Sequence, residues 1–149
     1  MNREKLIFLK SRILKGIGQM IFGIGTDIVE TGRFKNWVNN GEILKRYFAE
    51  EEQFSGDISD ERHVNRICQH YAVRFAAKEA FSKALGTGIF GFELKDVYVI
   101  KNSEGKPSIV LKNKALTLLQ ERCGNANVFV SLSHEKEYAT AFVVIEKVE

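Results

Sequence analysis

The chain of 149 residues reads as an α+β protein, on three observations. IFGIGTDIVE, residues 21–30, alternates from side to side as a strand does. A helical pattern runs from about Glu61 to Leu85. Near the C-terminus, NVFVSL and YATAFVVIE flank the turn SHEKE as two further strands. At this length one domain can bury a core without staples.

Taken in order, the first segment stands apart. Leu6, Leu9, Ile13, Ile17 and Met20 have helical spacing, and residues 1–19 hold five basic groups against one acid. They predict a basic amphipathic helix, an extension ahead of a domain spanning 20–149. Its expected partner is its own protein or a neighbouring subunit rather than a membrane. Its apolar part is too short for a secretory signal, and Met20 is a second possible translation start.

In the strand, Ile24, Thr26 and Ile28 share one face, while Gly23, Gly25, Asp27 and Val29 share the other. Residues 31–55 predict one or two short helices broken at Asn39-Asn40-Gly41, followed by a loop at 56–60 with a possible cap at its end. The long helix puts Val73, Ala77, Ala80, Phe81 and Ala84 inward, and Gly86 is its natural stop. Strands are predicted at about 92–100 and 107–112, joined by the turn at 102–106, and a helix at 113–123 ends near Gly124.

Composition narrows the function. Apolar residues make up 44% and charged residues 28%, as in an ordinary soluble domain. The longest apolar runs fall far short of a membrane span. The net charge of +3 is +4 from the first 19 residues and −1 from the remaining 130, which carry 17 basic and 18 acidic groups. That balance argues against a nucleic-acid binder. Cys68 and Cys123 form no CxxC, so a reduced, cytoplasmic protein with free thiols is expected.

Several motifs are set aside on context. GTGIFG, residues 86–91, has the letters of a dinucleotide fingerprint, but it follows a helix and precedes a strand, the reverse of what the fingerprint requires. The histidines, at 63, 70 and 134, lack the spacing of a zinc site. Ser131, Ser133 and His134 have no nucleophile elbow, and neighbours in a strand face opposite ways.

Two acids remain. Asp27 lies in an apolar strand between glycines that admit a ligand or another backbone, and a buried carboxylate there needs a cation or an arginine. Glu79 lies on the long helix with Lys83 four residues on, either a surface ion pair or part of a site. Asp27 and Glu79 together suit a hard dication such as Mg²⁺, with Lys83 and Arg74 available for phosphate oxygens.

Three segments then point to a family. GIGTDIVE (23–30), RFAAKEAFSKALGTGI (74–89) and SLSHEKEYATAFVVIE (131–146), with FAEEEQF (48–54) and the GKP turn between, resemble the bacterial holo-acyl-carrier-protein synthases, a 4'-phosphopantetheinyl transferase family. The resemblance runs from about residue 20 to 146; residues 1–19 depart from it.

The resemblance implies a fold of antiparallel sheet packed against helices, one of them long. It also implies Mg²⁺-dependent transfer of phosphopantetheine from coenzyme A to a serine of acyl carrier protein, in fatty acid biosynthesis, by a homotrimer with sites between subunits. On matching positions, Asp27 and Glu79 would be metal ligands and Lys83 would stand beside the reacting phosphate. Arg74 and His134 would contact coenzyme A, and Arg33 would face the carrier protein. Lys45 and Arg46, with Lys35, offer a positive face to an acidic partner. The group that takes the serine proton stays open among Glu79, Asp27 and a metal-bound water. Competing readings are a Mg²⁺-dependent phosphohydrolase or nucleotide-binding enzyme using the same acids, and a non-catalytic binding module.

Overall fold

In the computed structural model, which describes residues 19–57 and 63–148, a long strand β1 (Gln19–Glu30) leads into a 3-10 turn at Thr31–Phe34. The helix expected over residues 1–19 and the cap expected near residue 60 lie outside the described residues, save that Gln19 opens β1. Helices α1 (Lys35–Val38) and α2 (Gly41–Tyr47) break at the Asn-Asn-Gly, where the Asn40 side chain accepts a hydrogen bond from the Ile43 N–H at 3.2 Å and caps α2. The long helix α3 runs Val64–Leu85, and Gly86 ends it in the left-handed region at φ 76°.

Strands β2 (Val97–Lys101) and β3 (Pro107–Leu111) form an antiparallel pair. β2 starts five residues later than predicted. Phe92 and Leu94 turn into the core instead, and a 3-10 turn at Leu94–Asp96 takes up the backbone. Helix α4 (Asn113–Cys123) ends at Gly124 as expected. The chain closes with strands β4 (Ala126–His134) and β5 (Tyr138–Val148).

The three long strands make an antiparallel sheet in the order β1-β5-β4, in which Asp27 is level with Ala141 and Ala141 with Leu132. Phe22 is the extra residue of a bulge between Ile21 and Gly23, which resets β1 so that Gly23, Gly25 and Asp27 all face inward. Helix α3 crosses this inner face on small residues, Ala76, Ala77, Ala80 and Ala84, against Ala139, Ala141 and Val143 of β5. All are at most 4% exposed, so backbones approach closely where larger side chains would hold them apart.

The other side of α3 is buried too, and there the sequence reading missed a feature. Lys78 and Glu52 form an ion pair at 2.6 Å with both side chains wholly buried. Lys78 also donates to the Val97 carbonyl, and Glu52 accepts from the N–H groups of Val99 (3.0 Å) and Ala49 (3.1 Å). Val97 and Val99 present these groups on the edge of β2 that has no neighbouring strand among the described residues. The pair thus satisfies a sheet edge that would otherwise be buried without partners, and it ties residues 48–54 and the β2–β3 hairpin to α3. Cys68 and Cys123 are both buried and free.

Candidate active site

Two glycines set the geometry. A Cβ on Gly23 would come within 2.0 Å of the Ala84 carbonyl oxygen, and one on Gly25 within 2.0 Å of that of Ala80. Only glycine lets the helix backbone rest on the strand at this separation. Two strand residues advance roughly 6.6 Å and four helix residues roughly 6 Å, so strand and helix stay in step. The next inward position of β1 is Asp27, which therefore meets the preceding turn of α3. Of the two visitors the glycines were expected to admit, it is a backbone that approaches.

Lys83 extends back toward the N-terminus of α3, the direction helical side chains favour. Its Nζ donates to Asp27 Oδ1 at 2.7 Å and to the Thr26 carbonyl at 2.9 Å. Glu79 lies one turn earlier and is half-buried. Its carboxyl is pushed above the ordinary value, first by burial and then by the negative charge of Asp27, while Lys83 and Arg33 oppose the rise. Glu79 thus lies within electrostatic reach of Asp27, Lys83 and Arg33, drawn from three separate segments. The Asp27 backbone is pinned from the next strand, because the Thr140 hydroxyl donates to its carbonyl at 2.8 Å. Thr140 was visible in the sequence only as the polar residue interrupting the apolar run Ala139–Ile145.

This donor set fits a hard dication. It offers two carboxylates and the Thr26 main-chain carbonyl beside them, with no thiolate or imidazole, the oxygen donors such an ion prefers. Among the described residues no group of three or more His, Cys, Asp or Glu could hold a metal. A cation on Asp27 and Glu79 would therefore keep open positions for solvent and substrate oxygens.

Other predicted site residues lie elsewhere in the chain. Arg74 is about 140° around α3 from Glu79 by helical geometry. Its Nη1 donates to the His70 carbonyl at 3.0 Å, while its buried Nε has no hydrogen-bond partner among the described residues. His134 is exposed at the end of β4, two strands from Asp27 and so roughly 10 Å across the sheet. Lys45 and Arg46 are exposed on α2. A cleft of about 920 Å³ between α2, residues 48–54 and the start of α4 includes Lys45 but none of Asp27, Glu79, Lys83 or Arg33.

A strand carboxylate thus faces a long helix through paired glycines, with a second carboxylate and a lysine on that helix. The chain belongs to the 4'-phosphopantetheinyl transferase superfamily, whose family model matches residues 23–143. Within that class it is similar to the holo-[acyl-carrier-protein] synthase of Treponema denticola, 46% identical over 127 residues covering 85% of this chain and 99% of the relative. The synthase of Pelagibacter ubique is 39% identical over 130 residues, covering 85% of this chain and 98% of the relative. Among solved structures, the fold matches holo-ACP-synthase from Plasmodium yoelii with a TM-score of 0.73, at 25% identity over 89% of this chain and all of the other. It also matches the Bacillus anthracis synthase in complex with CoA (3',5'-ADP), with a TM-score of 0.64 at 34% identity, over 86% of this chain and 98% of the other.

Proposed function

We propose that this protein transfers 4'-phosphopantetheine from coenzyme A to a serine of apo acyl carrier protein, giving holo carrier protein and adenosine 3',5'-bisphosphate. What supports the reading is the Lys83–Asp27 contact together with the influence of Asp27, Lys83 and Arg33 on Glu79, in a chain of this superfamily. Mg²⁺ held by Asp27 and Glu79 would supply charge neutralisation at the diphosphate. Lys83, whose ammonium is already beside Asp27, stabilises charge that grows on the phosphate as the serine oxygen attacks and the bond to the leaving phosphate breaks. Arg33, exposed beside Glu79, faces the acidic carrier protein, with Lys45 and Arg46 extending the positive surface.

Arg74 and His134, remote from Asp27 in one protomer, contact coenzyme A across a subunit boundary in a homotrimer. Support comes from the outer face of the sheet, where Ile24, Ile28, Phe129 and Phe142 are 45–66% exposed and lie on adjoining strands. An apolar face of this kind marks an association surface. The enzyme acts in the cytoplasm, in fatty acid biosynthesis, through a domain of residues 20–149 that carries residues 1–19 as an extension. Among the described residues no helix is long and apolar enough to cross a membrane.

The direct test mixes the protein with apo acyl carrier protein, coenzyme A and Mg²⁺ and weighs the carrier. A mass gain of one phosphopantetheine is expected. Cleavage of coenzyme A without any carrier present would mark a phosphohydrolase instead, and no reaction of either kind would count against an enzyme.

A further inference from the structure

Lys83 already occupies the carboxylate that a metal would need. Its ammonium lies 2.7 Å from Asp27 Oδ1 and 2.9 Å from the Thr26 carbonyl, so a cation bound to the Asp27 carboxylate would meet a positive charge already seated on one of its two oxygens. Asp27 is held in place, 14% exposed in its side chain and anchored through its backbone to Thr140. Lys83 is not. Its side chain is 51% exposed, and four flexible carbons let its head leave without opening a cavity.

Charge balance points the same way. Asp27 and Glu79 contribute two negative charges, and Lys83 and Arg33 two positive ones, so the site is neutral as it stands. A dication alone would leave it strongly positive, with Lys83 displaced and unpaired. A diphosphate alone would enter a face that still carries both carboxylates. Only the two arriving together restore neutrality, with Lys83 turned from Asp27 to a phosphate oxygen.

We propose that Lys83 and a divalent cation compete for Asp27, so that the cation and the diphosphate of coenzyme A bind cooperatively. The inference rests on the metal reading of Asp27 and Glu79 given above. Thermodynamic linkage makes the effect reciprocal: the factor by which coenzyme A tightens metal binding equals the factor by which metal tightens coenzyme A binding.

The test is a Mn²⁺ titration, read as free ion by electron paramagnetic resonance, with and without coenzyme A. It compares wild type, Lys83→Gln, Asp27→Asn and Glu79→Gln. Without coenzyme A, Lys83→Gln should bind Mn²⁺ about fivefold tighter or more, and the gain on adding coenzyme A should shrink in that variant. Equal or weaker binding by Lys83→Gln, or an undiminished gain, overturns the exchange; if Asp27→Asn and Glu79→Gln have meanwhile lost the ion, the metal reading survives. Wild-type Mn²⁺ affinity in both carboxylate variants would end the metal reading, and the exchange with it.

Discussion

Gly25 of β1 lies directly beneath the Ala80 carbonyl of α3, with no room between them for a Cβ. The contact sets how near the helix comes to the strand, and so how near Glu79 and Lys83 come to Asp27. Gly25→Ala should therefore lower stability by about 1–3 kcal/mol or more, since the rigid backbone must move aside. Turnover should fall with it as the acids separate. Gly32→Ala, where a Cβ meets nothing within 4 Å, is the matched control. Thermal unfolding of the two variants checks the claim, and similar midpoints would contradict it.

Removing one partner of the Lys78–Glu52 pair leaves a charge in a fully buried place. Lys78→Met and Glu52→Gln should each cost about 3–5 kcal/mol, and Lys78→Met combined with Glu52→Leu should recover part of the loss. A double-mutant cycle in urea measures the coupling. Single variants within 1 kcal/mol of wild type would show that the pair is not holding the hairpin to α3.

At the site, Asp27→Asn and Glu79→Gln should keep the fold while transfer drops on the order of a thousandfold, the scale of several kcal/mol of lost metal-derived stabilisation. Single-turnover mass spectrometry of the carrier, alongside circular dichroism, separates loss of chemistry from loss of structure.

Arg33 is an exposed cation that, together with Lys83, acts on Glu79. Arg33→Glu should raise KM for acyl carrier protein more than KM for coenzyme A, and the wild-type advantage should narrow as salt is added. Equal effects on the two constants would remove Arg33 from the docking surface.

His70 supplies a pH signature. Burial, then the positive charge of Arg74, lowers its pKa from 6.5 to about 4, and the ring donates to the Glu52 carbonyl at 2.6 Å. The unfolded chain takes up this proton near 6.5 and the folded chain only near 4. The contribution to stability is whole above pH 6.5, declines as pH falls, and is gone below about 4. Urea melts of wild type and His70→Gln at pH 7 and pH 4 should differ in their pH sensitivity by up to about 3 kcal/mol. Parallel curves would mean the imidazole is not held neutral.

Elements with a strong local signal were legible in advance. The two faces of β1, the helix break at Asn39-Asn40-Gly41, the end of α3 at Gly86 and the span of α4 all follow from periodicity and glycine chemistry. The late start of β2 was not, because residues 92–96 hold apolar side chains whose use in a turn is decided by the core they enter. Nor was the pairing of Lys83. Helical spacing offers it Glu79, four residues away, whereas the ammonium goes to a carboxylate 56 residues away in the chain.

Residue type raised Asp27, Glu79 and Lys83 as candidates, because hard-ion and phosphate chemistry draws on few side chains. Spacing left Glu79 and Lys83 readable as a surface ion pair, and it was the likeness of the long motifs to a known family that nominated all three. Tertiary structure alone decided which charges meet. Nothing in the sequence singles out Glu52 and Lys78, which the fold buries as a pair, and Arg74 shares a helix with Glu79 yet points away from it. Local sequence sets the direction of a side chain relative to its own backbone, but Coulomb energy depends on distances that only the packing of one element on another can fix.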